Sequence, residues 1–195
     1  MGFIIDLLKT RASVRQFQSR PVPMPILDDI LEAGRLSPSG GNEQPWRFGV
    51  ITEPALIAEI AQIAHRQTWI ARAPLLIVLC TVPVGDAAGG RDIQLQRFPQ
   101  FAGAIAALDQ ALYWALNQEE HQTKIAGTHM LLAAQEHGLG GCWVSRFEVR
   151  ALATLLHLPE GILPSEILVM GYLDGLPNPM RKKGLVEIVF YNTFG

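Results

Sequence analysis

The eight residues from Leu75 to Val82, LLIVLCTV, are uncharged and form the longest strong apolar run in the chain. A run of that length is strand-sized, and its continuous hydrophobicity reads as a buried strand rather than one with a wet face. It falls far short of the roughly 18–20 apolar residues that span a bilayer. The sequence around it alternates helical and extended patterns without a strict strand–helix–strand repeat. That argues for an α+β fold rather than a doubly wound sheet.

Helical spacing predicts Phe3–Thr10, Pro25–Leu36, a helix from Pro54 to about His65, Phe98–Asn117, His121–His137 and Phe147–His157. Gly138 is placed to end the fifth of these. Strands are expected at Trp46–Thr52, Leu75–Val82, Leu139–Val144 and Ile167–Leu173, with a last extended segment at Leu185–Tyr191. Arg11–Pro23 reads as a basic connector, and Ser37–Pro45 and Pro83–Arg91 as loops. No linker or internal repeat divides the chain, so residues 1–195 are expected to form one domain.

The formal net charge of −2 gives no reason to expect nucleic acid or an anionic membrane as partner. A hydrophobic share of 49% in a chain of 195 residues leaves apolar surface that a second copy could cover. Cys80 and Cys142 lie in apolar surroundings, the five histidines are scattered, and no spacing suits a metal. Reduced thiols and an N-terminus without a basic leader pattern point to the cytoplasm.

Four stretches could carry chemistry. In Arg11-Ala-Ser13-Val-Arg15, extended backbone would turn two guanidiniums and a hydroxyl to one side, suited to a phosphate or other anion. A solvated basic connector explains the same residues. In Ser37 to Trp46, SPSGGNEQPW, adjacent glycines permit close backbone approach, and Asn42 and Gln44 suit the edge of a heterocycle. An ordinary turn is the plainer explanation. Arg181, Lys182 and Lys183 are either a charge run in water or part of a phosphate site built from both chain ends. Ser145-x-x-Glu148 reads as a capping box, which would also present backbone N–H groups to a ligand. The nearby G-x-G at Gly138 lacks the third glycine and the preceding strand of a dinucleotide fingerprint. No nucleophile elbow and no P-loop occurs, which counts against hydrolase and NTPase chemistry.

In their order these stretches resemble the nitroreductase family of FMN-dependent enzymes. The marks are RASVRQF at Arg11–Phe17, SPSGGNEQPWRF at Ser37–Phe48, ARAPLLIVL at Ala71–Leu79, LLAAQEHGLGGCW at Leu131–Trp143, and a basic pair before L-x-E-I-V at Leu185–Val189. The resemblance implies a central antiparallel sheet flanked by helices and an intertwined homodimer with FMN at its interface. It implies ping-pong transfer of hydride from NADH or NADPH through the flavin to a small electrophilic acceptor, such as a nitroaromatic, quinone, enone or flavin. By position, Arg11 and Ser13 match the holders of the FMN phosphate, and Arg15 matches the basic residue at the pyrimidine edge of the flavin. Pro38, Ser39 and Asn42 match the loop that reaches FMN from the partner, and Gln67 a position near the ring. Arg181 and Lys183 match the terminal phosphate contacts, with Lys182 as the alternative. Ser145-Arg146 stands where several members carry Glu-Gly near flavin N5, and Ser145 can still serve through its backbone N–H. No side chain is expected to act as a catalytic acid or base. Phe98, Phe101, Tyr113 and Trp114 lie in the family's variable segment, where helical spacing favours core over substrate cage. The other class of function open to the fold is an FMN-binding protein that stores, senses or fragments flavin without reductase turnover.

Overall fold

The computed structural model describes residues 2–82, 90–109, 118–176 and 178–193. Its strands are β1 (Trp46–Ile51), β2 (Leu75–Thr81), β3 (Leu139–Val144) and β4 (Leu163–Tyr172). They form one sheet in the order β1-β2-β4-β3, antiparallel at every pairing. Its helices are α1 (Phe3–Thr10), α2 (Met24–Arg35), α3 (Pro54–Ile63), α4 (Gly90–Arg97), α5 (Ala102–Ala107), α6 (Gln118–Glu136) and α7 (Val149–Leu155).

All seven residues of β2 are buried, as its composition predicts. Successive side chains point to opposite faces. Leu76, Val78 and Cys80 therefore join one core, and Leu75, Ile77 and Leu79 the other. Ile57 and Ile60 of α3 and Leu152 of α7 pack in the first core. Leu27 and Ile30 of α2 and Met130 and Leu131 of α6 pack in the second. Each such side chain contributes roughly 1.5–3 kcal/mol on leaving water. The α+β expectation with a central antiparallel sheet flanked by helices stands.

β4 begins at Leu163, ahead of the expected Ile167. The register shifts so that Leu79 faces Glu166 while Cys80 faces Pro164. Proline, which has no N–H to give, is tolerated at such a bulge. The expected helix from Phe98 to Asn117 does not form as one piece. Pro99 opens a 3-10 turn, Pro99–Phe101, between α4 and α5, because its ring and missing donor interrupt a helical ladder. α4 occupies the end of what reads as the Pro83–Arg91 loop. Phe98 and Phe101 are 41% and 58% exposed rather than core, and Tyr113 and Trp114 lie outside the described residues.

The capping box at Ser145 is also absent. α7 starts at Val149 with no side-chain cap. The Glu148 backbone N–H donates to Ile63 O at 3.2 Å, and its carboxylate lies 3.5 Å from His65 Nε2, so Glu148 is committed to the end of α3. The expected extended segment at Leu185–Tyr191 contains a 3-10 turn, Leu185–Glu187, closed by Gly184 N donating to Glu187 Oε1. A strand needs a hydrogen-bonding neighbour, and among the described residues none pairs with it. Leu185, Val186, Phe190 and Tyr191 are exposed there, as are Phe3, Ile4 and Leu8 of α1, which buries no residue. No helix among the described residues is long and apolar enough to cross a membrane.

Candidate functional site

The chain leaving α1 runs extended beside β3. Ser13 forms a parallel bridge with Gly141, and Val14 N donates to Gly141 O at 3.1 Å. Val14 packs against the core, while Ser13 and Arg15 on either side of it are exposed. The approach is close enough that a Cβ on Gly140 would stand 2.6 Å from Val14 Cγ2, so this strand crossing needs glycine.

Arg11, Ser13 and Arg15 lie near enough to the Cys142 thiol to act on it. Burial pushes that thiol up, while Arg15, the Ser13 hydroxyl and Arg11 pull it the other way. Cys80, without such neighbours, is pushed up to about 11 by burial. The Arg15 guanidinium lies 5.7 Å from the centre of the Trp69 ring, within reach of a cation–π contact. Trp69 belongs to a 3-10 turn, Thr68–Arg72, that follows Gln67. Gln67 Nε2 donates to Ala64 O at 3.0 Å and to Arg146 O at 3.2 Å. One polar rim thus runs from Arg11 through Ser13, Arg15 and Gln67 to Ser145-Arg146. Among the described residues, no carboxylate pairs with Arg11, Arg15 or Arg146. Cations left without acids suit an anionic group of a ligand.

Ser145 borders a cavity of about 310 Å³ together with Lys124, Ser165 and Glu166. Glu166 is 3% exposed, and its Oε1 lies 3.1 Å from Lys124 Nζ. Its Oε2 is buried with no partner among the described residues. Beside it, Thr81 Oγ1 donates to Thr123 Oγ1 at 3.0 Å and lies 3.1 Å from Ser165 Oγ. This buried charge pair was missed in the sequence. The available signal was a lone carboxylate directly ahead of the apolar run Ile167–Met170.

Pro38, Ser39 and Asn42 lie elsewhere. Their loop contains a 3-10 turn, Gly40–Asn42, with Gly41 and Asn42 both at φ 57°. Ser39 Oγ accepts from Gln44 N at 2.9 Å, and Gln122 Oε1 of α6 accepts from Gly40 N at 2.6 Å. Ser37 anchors the loop by donating to Ala33 O and lying 2.7 Å from His129 Nδ1. Pro38, Ser39 and Gly40 border an open cavity of about 690 Å³ that shares no lining residue with the cavities along Arg11–Arg15. Arg181, Lys182 and Lys183 are exposed after β4 and border neither of the latter. The structure therefore places Arg11, Ser13 and Arg15 on one stretch and links them through Trp69 and Gln67 to the backbone of Arg146, next to Ser145, which borders a cavity of its own. Pro38, Ser39, Asn42, Arg181 and Lys183 border neither cavity along Arg11–Arg15, although Asn178, shortly before Arg181, lines one of them with Ser13 and Arg15.

The model of the Nitroreductase family matches residues 8–172, from α1 to the end of β4. The chain belongs to the nitroreductase family. It is therefore placed among oxidoreductases. It is similar to the NADH dehydrogenase of Thermus thermophilus, 28% identical over 193 residues that cover 93% of this chain and 92% of that one. It is also similar to the iodotyrosine deiodinase of Thermotoga neapolitana, 28% identical over 201 residues and the full length of both. The solved structure of NfrA2 from B. megaterium shares the fold, with a TM-score of 0.80, 20% identity, and coverage of 100% of this chain and 76% of that one.

Proposed function

We propose that this nitroreductase-family protein binds FMN and uses NADH or NADPH to reduce a small electrophilic acceptor, with residues 1–195 acting as one domain. The observation that carries the reading is the rim of cations without acidic partners from Arg11 to Arg146. Arg11 and Ser13 would hold the phosphate by charge-assisted hydrogen bonds. Arg15, backed by Trp69, would offset the negative charge the cofactor gains on reduction. Gln67, fixed by its two carbonyl partners, would border the ring, and Ser145 would offer its backbone N–H. Bound FMN would supply the two-electron chemistry, taking hydride from the nicotinamide donor and passing it to the acceptor in alternation. The protein binds and orients, and no side chain is assigned as acid or base.

The separation of the Pro38–Asn42 loop from the rim supports a homodimer in which each copy completes the other's site. The exposed apolar face of α1 and the exposed tail with Leu185, Val186 and Phe190 supply surface for that contact. Arg181 and Lys183, on the same tail, would then reach a phosphate. Two buried free thiols are consistent with the cytoplasm.

Steady-state rates with NADH or NADPH and menadione at several fixed concentrations test the scheme. Parallel double-reciprocal lines are expected, and intersecting lines would contradict alternation. The full-length match to an iodotyrosine deiodinase favours a second reading, reductive removal of halide from an aromatic at the same site. Halide release from iodotyrosine under anaerobic donor would identify it.

A further inference from the structure

The open cavity beside Pro38–Gly40 adjoins the loop that the reading above gives to the partner's FMN, and its other walls are chemically one-sided. α4 and the residue after it contribute Arg97 and Phe98, and α6 contributes His121 and Ile125. None of the described residues lining it is acidic. Arg97 has no ion-pair partner among the described residues. Its place in the last turn of α4 suits the negative end of the helix dipole, which explains why a cation is tolerated there but leaves its donors unused. Phe98 and Ile125 are 41% and 40% exposed. Two large apolar side chains stand open to water beside an unpaired guanidinium. At about 690 Å³ the cavity falls within the range of about 300–1,000 Å³ typical of small-ligand sites.

The cavity is also fixed to the proposed cofactor loop. Gly40 N donates to Gln122 Oε1 at 2.6 Å, which ties the Pro38–Asn42 loop to the α6 wall. If that loop completes the partner's FMN site, the cationic wall arrives with it.

We propose that Arg97 and His121 make this cavity selective for planar aromatic acceptors that carry a negative charge, a carboxylate or a phenolate. Arg97 pairs with the anion, His121 adds a ring N–H donor, and Phe98 and Ile125 cover the ring. The inference rests on the FMN reading for its placement at the acceptor side, but not for the charge preference itself.

The test compares 4-nitrobenzoate with its neutral analogue 4-nitrobenzamide, by calorimetric titration of the purified protein without nicotinamide donor. The native protein should bind the anion more tightly, and added salt should narrow the gap. Arg97→Gln should reduce the benzoate-to-benzamide affinity ratio about three- to tenfold, the scale of one charge-assisted contact at a partly exposed site. His121→Gln should reduce it less. FMN content and circular dichroism of each variant establish that it is folded and loaded. A ratio near one in the native protein, or one that neither substitution changes, overturns the inference. So does an equal rise in KM for NADH and NADPH in Arg97→Gln, which would give the cations to the donor's pyrophosphate. Protein that lacks FMN but keeps the anion preference would sink the cofactor reading and leave this one. Loaded, active protein without the preference would do the reverse.

Discussion

That Arg11, Ser13 and Arg15 share one extended stretch was legible in the sequence, because side chains two apart in extended backbone share a side; their role toward an anion was not, since a solvated connector has the same residues. The structure adds the Cys142 thiol they act on and the Trp69 ring near Arg15. If Arg11 holds a phosphate, Arg11→Ala should weaken FMN binding by roughly 1–3 kcal/mol, the scale of a hydrogen bond to a charged group. Fluorescence titration of apoprotein with FMN measures this, and an unchanged affinity would remove Arg11 from the site. Glu166 shows the opposite case. Its carboxylate is visible in the sequence, but its partner Lys124 comes from a helix far away along the chain, which only tertiary packing selects. Removing one member of a buried pair strands the other. Lys124→Met should therefore cost about 2–4 kcal/mol, below the full range for buried pairs because Lys124 is 35% exposed. Adding Glu166→Leu should recover most of the loss. Urea unfolding of the single and double variants reads both effects, and a double variant no more stable than the single would contradict the pairing.

At the scale of elements, β2 was legible because every position from Leu75 to Cys80 is apolar, none is charged, and the run has a strand's length. The ends of elements were not. Ser145-x-x-Glu148 has the letters of a capping box, but Ile63 and His65 of the neighbouring segment take Glu148 first. The helix expected from Phe98 has Pro99 in its first turn, where proline is tolerated, but α4 ends just before it at Arg97 and Pro99 opens a 3-10 turn instead. β3 and the Arg11–Arg15 strand depend on each other through Gly140. A methyl there would sit inside the contact distance of Val14. Gly140→Ala should displace the Arg11–Arg15 strand and destabilise the fold by about 1–3 kcal/mol, the usual cost of overpacking. Loss of FMN on dialysis should accompany the lower thermal midpoint. A variant with native midpoint and full FMN would show that the close crossing does not position the rim.

For the whole molecule, composition indicated surplus apolar surface but not where it lies. The structure puts much of it on α1, none of whose residues is buried although Gln135 of α6 bonds to Leu7 and Thr10, and on the exposed tail after β4. Among the described residues the terminal segment, extended by its sequence, has no strand neighbour, and it turns at Leu185–Glu187 instead. The loop at Pro38–Asn42 and the stretch from Arg11 to Arg15, both readable in the sequence, border no common cavity within one chain; the homodimer proposed above would join them. On the reading proposed above, the cation rim holds FMN that a nicotinamide donor can reduce. An absorbance spectrum of the purified protein, recorded before and after anaerobic NADH and NADPH, tests it most directly. Flavin bands that bleach with either donor are the predicted result. Bands that persist with both would mean storage or sensing of the flavin rather than turnover. No flavin bands after incubation with FMN would contradict the account.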